Sequence, residues 1–240
     1  MGRKTELAGI RAAAGRSLVD GGKQRGKTAL LEQTKSMLHK PERREYAVEF
    51  SIYGYDESQA LSKTVEELGK EGLVTDSPKS WEALSSELDD KFRAGKISRL
   101  VLLMDAADDF LENASRSDYR VLFPLLELKR KTRNSFKFVL AGLHNVARAK
   151  RAMERNGLLT QLGEPLCIRP LSPLDARRLM ERPLSYLGFK PSPQSLTELI
   201  LASVNYYPGI LHFFGYTLIQ SISERYTEYY SAAKGNPPFE

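Results

Sequence analysis

Over the first 170 residues, apolar positions alternate between short dense runs and longer stretches of helical period. Residues 17–20 form a short apolar strand that runs into glycines, and 28–38 reads as a helix. Residues 46–52 have strand composition with partial alternation. Helical patterns follow at 58–71 and 79–92, separated by the turn-rich Thr75-Asp76-Ser77-Pro78. Residues 99–104 form a continuous apolar run, the pattern of a strand covered on both faces, and 136–143 is another strand of the buried type. Between them 118–131 has helical period, and 166–169 is a last short strand before Pro170. This alternation predicts an α/β fold with a parallel sheet flanked by helices. After Pro170 the pattern changes: 175–187, 194–203 and 210–226 read as helices and no strand follows. The expected organisation is an α/β domain over 1–170, a small helical subdomain over 171–230, and a linker or tail over 231–240 that suits a continuation into a further domain.

Composition narrows the picture. The 240 residues are 41% hydrophobic and 28% charged, ordinary for a globular chain, and no apolar run reaches the roughly 18 residues needed to span a bilayer. Residues 1–14 are amphipathic and basic but lack the apolar core of a secretory signal. A cytoplasmic protein without membrane association is therefore expected. Cys167 is the only cysteine, which excludes an intrachain disulfide or a cysteine-based metal cluster, and His39, His144 and His212 show no ligand spacing. The net charge of +6 permits contact with nucleic acid or phosphates. It comes in short bursts at 40–44, 129–133 and 148–155, which read first as solvated helical surface.

The most specific feature is Gly21-Gly22-Lys23-Gln24-Arg25-Gly26-Lys27-Thr28, a complete G-x-x-x-x-G-K-[ST] phosphate loop between a strand and the apolar helix opening at Ala29-Leu30-Leu31. Its glycines let backbone N–H groups curl around phosphates, and the helix that follows adds its positive end. Lys27 is expected on the β- and γ-phosphates of a nucleoside triphosphate, most simply ATP, and the Thr28 hydroxyl on Mg²⁺. Asp105, closing the apolar run Leu100-Val101-Leu102-Leu103-Met104, is expected as the second Mg²⁺ residue, on a strand neighbouring the loop's own. Many such ATPases place a glutamate next; here the position holds Ala106, which does no acid–base work. Asp108 is the candidate base, set against the plainer reading that Asp108 and Asp109 only cap the segment 110–113. Slow or absent hydrolysis follows from Ala106.

With both motifs in place the chain resembles the STAND class of AAA+-related P-loop ATPases, and more closely the bacterial ATPase modules of that class in large multidomain proteins. Gly2-Arg3-Lys4-Thr5-Glu6-Leu7 is similar to the G-R-x-x-E-L box that precedes the phosphate loop. Asp105-Ala106-Ala107-Asp108-Asp109 resembles the class's second motif. The strand from Phe136 into His144-Asn145 resembles the one carrying the first γ-phosphate sensor, favouring Asn145. Asn205-Tyr206-Tyr207-Pro208-Gly209 resembles the lid segment whose proline, here Pro208, packs near the adenine. The resemblance implies a P-loop NTPase sheet followed by a helical lid. It also implies a nucleotide-dependent switch that binds ATP or ADP, self-associates and acts on a fused or attached effector, as in signalling or antiphage defence. Departures are the missing glutamate at Ala106 and the short interval between the opening box and the first strand. Two rival functions stand beside it: an AAA+ ATPase acting on DNA in replication or transposition, and a nucleotide-binding scaffold without catalysis. Arg148 and Arg151 read as surface charge before they read as arginine fingers. Trp81 reads as core, and Tyr226, Tyr229 and Tyr230 as a packing face for a following domain.

Overall fold

The structure, a computed structural model, describes residues 3–12, 15–75, 78–155, 157, 159–189 and 194–232. Gly2, Asp76, Ser77 and residues 233–240 lie outside that set, as do the side chains of Tyr226, Tyr229 and Tyr230.

Residues 3–169 build a compact unit around a five-stranded sheet. The strands are β1 (Leu18–Asp20), β2 (Glu45–Ser51), β3 (Arg99–Asp105), β4 (Phe136–Gly142) and β5 (Leu166–Cys167), in the order β2-β3-β4-β1-β5. Every pairing is parallel. β3 and β4 lie in the interior of the sheet, and every residue from Leu100 to Asp105 and from Phe136 to Gly142 is buried. This is why both strands read as predominantly apolar rather than alternating, Lys137 being the one charged residue inside β4. On one face, α1 (Lys4–Arg11) and α2 (Lys27–Leu38) press Leu7, Ile10, Leu30 and Leu31 onto Val19, Val101, Leu103, Val139 and Ala141. On the other lie α3 (Glu57–Lys70), α4 (Trp81–Arg93), α5 (Asp108–Ser115), α6 (Phe123–Lys131) and α7 (His144–Arg155). Leu68, Leu84, Leu88, Phe110, Leu125 and Met153 cover that face, against Leu102, Met104, Phe138 and Leu140. Trp81 is in this core, as its pattern predicted. The short helix α8 (Leu159–Leu162) precedes β5.

Two of these helices, α1 and α5, carry no expectation from the pattern, and α7 reads only as basic helical surface over 148–155. α1 buries only Leu7 and Ile10, and α5 has a single apolar turn, Phe110, Leu111 and Ala114. α7 shows the helical spacing Val146, Ala149, Met153 beneath a strongly basic exterior. The expected helix 118–131 breaks: Asp118 and Tyr119 take positive φ, Arg120–Leu122 make a 3₁₀ turn, and α6 starts at Phe123. Pro124, with no N–H to give, fits only the first turn of such a helix. The sheet order also corrects one expectation. Asp105's strand does not neighbour the strand that feeds the phosphate loop; β4 stands between β1 and β3.

A second compact unit begins at Pro170. It consists of α9 (Pro173–Tyr186), α10 (Gln194–Ser203) and α11 (Pro208–Ala232) packed on Ala176, Met180, Leu201 and Leu211. The Ser172 hydroxyl caps α9 by accepting the Asp175 N–H at 3.2 Å. Arg177 and Glu198 pair between α9 and α10. Residues 231 and 232, expected in the tail, close α11. No helix among the described residues is long and apolar enough to cross a membrane.

Candidate functional site

The glycine-rich loop leaves β1 at the carboxyl edge of the sheet and enters α2 through Gly26, whose φ of 83° puts it in the left-handed region that glycine adopts without strain. Gly21 is fixed by close approach: a Cβ there would come within 3.0 Å of Ile168 just past β5. The loop is tied down from outside as well. Arg3, just ahead of α1, donates from one guanidinium nitrogen to the carbonyls of Arg25 (2.8 Å) and Arg169 (2.7 Å), and pairs with Glu6 at 3.1 Å. Arg25 in turn donates to the Ile168 carbonyl at 3.1 Å. The Arg-x-x-Glu of the opening segment is thus a clasp joining the phosphate loop to the end of β5.

A cavity of about 530 Å³ opens above the carboxyl edge, and Lys23, Gln24, Lys27 and Thr28 form its loop side. Lys27 bends back so that its ammonium donates to the carbonyls of Gly21 (2.7 Å) and Gly22 (3.1 Å). Burial holds its pKa below the ordinary lysine value; Asp105, Asp108 and Asp20 pull the other way, and Arg25 adds to the lowering. The Thr28 hydroxyl donates to Asp105 Oδ2 at 2.5 Å, and Asp105 Oδ1 accepts the Ala106 N–H at 2.8 Å. Ala106 takes φ 54°, a turn that carries the chain away from the sheet directly after Asp105.

The far wall comes from the β4–α7 turn and α5. Asp108 is engaged there: both its carboxylate oxygens accept the Leu143 N–H (3.0 and 2.7 Å), and Oδ1 also accepts the Asn145 N–H at 3.0 Å. Gly142 makes room for this contact, since a Cβ would meet Asp108 Oδ2 at 2.9 Å. Asp109 Oδ2 accepts the Gly54 N–H at 3.0 Å. The Asn145 amide donates to the Asp108 carbonyl (3.0 Å) and to Glu112 (3.2 Å). Thus Lys23, Gln24, Lys27, Thr28, Asp105, Asp108 and Asn145 converge on one cavity, while Gly21, Gly22, Arg25, Gly26 and Ala29 form the loop and first helical turn behind it. Pro208 belongs to the other unit, where it begins α11. Sequence reasoning gave no role to Gly142 or to Tyr53, which is 77% exposed and lines the cavity beyond β2. Only the glycine itself, closing an otherwise bulky strand, signalled the first. Arg148, read as surface charge, is exposed and also borders the cavity. Below the loop, Cys167 pairs in register with Asp20, whose carboxylate keeps the thiol above its usual pKa.

The donor set suits a triphosphate with a hard cation. A curled backbone, a lysine and an all-oxygen hydroxyl–carboxylate pair are the chemistry of Mg²⁺ shared between protein and phosphate. Among the described residues no cluster of three or more His, Cys, Asp or Glu is suited to hold a metal by itself, so a cation held by Thr28 and Asp105 would draw the rest of its shell from water and phosphate oxygens.

Comparison with solved structures agrees with this architecture. The chain superposes on the Walker-type ATPase PabY2304 of Pyrococcus abyssi with a TM-score of 0.67 at 13% identity, covering 89% of this chain and 66% of that one. The fold is that of a P-loop NTPase. The Aeropyrum pernix ORC1 protein, solved in complex with DNA, gives a TM-score of 0.54 at 15% identity over 92% of this chain and 59% of that one. The ORC2 protein of the same organism, in ADPNP–ADP complexes, gives 0.52 at 17% identity over 76% and 50%. The chain spans less than two thirds of each of these proteins, and at such identities the likeness is one of fold. No family model and no curated protein matches the sequence.

Proposed function

We propose that this chain binds ATP with Mg²⁺ on Gly21–Thr28 and works as a nucleotide-dependent switch of the AAA+-related STAND kind, with slow hydrolysis. The observation that carries the reading is the Thr28–Asp105 pair at 2.5 Å beside Lys27, assembled across the end of β4. Lys27 exchanges its two loop carbonyls for phosphate oxygens, and the N–H groups of the loop and of Ala29 complete the cradle. Thr28 and Asp105 would hold Mg²⁺, which would supply neutralisation of the β- and γ-phosphate charge. Asn145 senses the γ-phosphate, and Pro208, by resemblance, meets the adenine. Asp108 is the proposed base. Its three backbone N–H bonds and the methyl group at Ala106 support slow turnover, because the carboxylate must release the β4–α7 turn before it accepts a proton from water. The resemblance adds cytoplasmic location, self-association and an attached effector.

Titration with a fluorescent ATP analogue tests the site. Lys27→Ala should abolish binding, and unchanged affinity would remove the phosphate-loop assignment. Steady-state turnover that survives Asp108→Asn would remove the base. A second reading, action on DNA, is favoured by the exposed Arg148, Arg151 and Arg155 on α7 and by the DNA bound to the ORC1 neighbour. It requires duplex binding that weakens steeply with salt and with charge reversal on α7.

A further inference from the structure

The chain enters β2, β3 and β4 at the amino edge of the sheet, opposite the nucleotide cavity. Two basic bursts distant in sequence, 40–44 and 129–133, meet there, one ahead of β2 and the other ahead of β4. Between them β3 begins at Arg99, whose N–H donates to the Arg44 carbonyl at 3.2 Å, while the Leu100 N–H donates to the Ser135 carbonyl at 3.0 Å. The Arg99 guanidinium donates to the Arg11 carbonyl at the end of α1 (2.6 Å), and the Arg44 guanidinium to the Gly95 carbonyl beside Lys96 (2.7 Å). Arg11, Arg43, Arg44, Lys96, Arg99 and Arg133 thus follow one another along a single strip. Neighbouring strands are about 4.8 Å apart and a packed layer lies roughly 10 Å to either side, so the strip runs for about 20 Å.

None of the six makes an ion pair among the described residues, and all but the half-buried Arg99 are exposed. The carboxylates near them are fewer. Glu42, Glu45 and Asp90 make no ion pair among the described residues, whereas Asp89 and Glu127 are held by Arg93 and Arg130 within their own helices. Just inside the edge, burial lowers the Lys137 pKa, and the charges of Lys129 and Arg99 add to the lowering with no carboxylate opposing them. A basic last turn is ordinary at a helix C-terminus, which accounts for Arg11. It does not account for Arg44 and Arg133. Both lie in turns outside the α-helices, with φ of 58° and 51°, the left-handed region where glycine or asparagine costs less. Arginine at both turns keeps a charge there against the preference of the backbone.

We infer that this strip docks the phosphate backbone of duplex DNA without reading its sequence. Guanidinium groups match phosphate oxygens in pairs, and a strip of about 20 Å faces roughly six phosphates of one strand. No exposed aromatic ring for stacking unpaired bases lies on the strip among the described residues, which argues against a single strand. Met37, at the end of α2, is 37% exposed, too little apolar surface to anchor the edge in a bilayer. The Ser98 and Thr132 hydroxyls donate to the carbonyls of Arg43, Arg44 and Leu128 and are not free for ribose hydroxyls, which argues against RNA. The inference shares its class of partner with the second reading above but none of its residues, since α7 takes no part.

The probe is a fluorescein-labelled DNA duplex of about 20 base pairs and arbitrary sequence, titrated by anisotropy without nucleotide between roughly 50 and 200 mM salt. The logarithm of the affinity should fall linearly with the logarithm of salt, with a slope of about −4 to −5 for some five phosphates. Arg44→Gly and Arg133→Gly remove a charge and relieve the positive φ, so both variants keep the fold. Each should weaken the duplex about three- to tenfold and flatten the slope by about one, and the double variant by about two. Lys79→Gln, exposed ahead of α4 at the other end of that helix, changes the net charge equally and should alter neither quantity. Affinity and slope unmoved in both glycine variants overturn the inference. If Arg151→Gln on α7 weakens the duplex and the glycine variants do not, the second reading survives and this surface is refuted. Tighter binding of an RNA duplex of the same length also overturns it, as does binding to phosphatidylserine–phosphatidylcholine vesicles without binding to DNA.

Discussion

Lys137 offers a quantitative test of how the unit is held together. The residue sits in the apolar run of β4 at 1% exposure, on the face covered by α1. Its amine donates to the carbonyls of Ile10 (2.5 Å) and Ala12 (2.9 Å), at the C-terminal end of α1 where carbonyls lack helical partners. Burial pulls its pKa from 10.5 down to about 7, with the nearby charges of Lys129 and Arg99 pushing the same way. The unfolded chain keeps this proton up to the ordinary lysine pKa, whereas the folded chain gives it up above about 7. Between those limits the unfolded state binds more protons, so stability rises with pH; below about 7 both states are protonated and this residue contributes no slope. The slope is about 1.4 kcal/mol per pH unit, hence roughly 2–3 kcal/mol between pH 7 and pH 9. Lys137→Met keeps the volume and removes the titration. Urea unfolding of both proteins at the two pH values, at constant ionic strength, measures the difference directly. The gap between wild type and variant should widen by that amount in favour of wild type as pH rises. Lys27 and Lys129, also lowered by burial, tilt both proteins alike and cancel in the comparison. Equal pH slopes in the two proteins would refute the reasoning.

Other predictions follow from single contacts. Arg3→Ala removes two bonds to loop and β5 carbonyls; affinity for an ATP analogue should fall about tenfold or more, with faster amide exchange across Gly21–Thr28. Gly142→Ala sets a Cβ at 2.9 Å from both Asp108 and Val146 and should cost about 1–3 kcal/mol in urea unfolding, whereas Gly69→Ala, where nothing stands within 4 Å, should not destabilise. Ala106→Gly relieves the φ of 54° and should raise stability by about 1 kcal/mol, read in the same assay; a loss would mean that the turn is not strained.

Much of this fold is legible in the sequence alone. The phosphate loop is a contiguous signal with its strand and helix attached, and β3 and β4 announce themselves because strands covered on both faces are apolar at nearly every position. What stayed hidden depends on partners distant in the chain. Nothing local to Asp108 indicates that its carboxylate closes on N–H groups 35 and 37 residues away. Arg3 belonged to a recognisable box, yet its clasp on Arg25 and Arg169 appears only once β5 lies beside β1. Strand order is likewise set by pairing rather than by composition, so the insertion of β4 between β1 and β3 has no signature within either strand. The helices α1 and α5 escaped for a plainer reason: eight residues with two or three buried positions are too short for a period to emerge.

The lone sulfhydryl at Cys167 has a practical consequence. It is exposed, on the edge strand, opposite the residue that leads into the phosphate loop. A maleimide fluorophore therefore attaches to these 240 residues at one defined spot, with no background labelling to subtract. Because the thiol is held protonated, conjugation near neutral pH is slow and its rate is itself a gauge of the surroundings. The molecule comes with its own spectroscopic handle, a strand's width from the place where occupancy would be read.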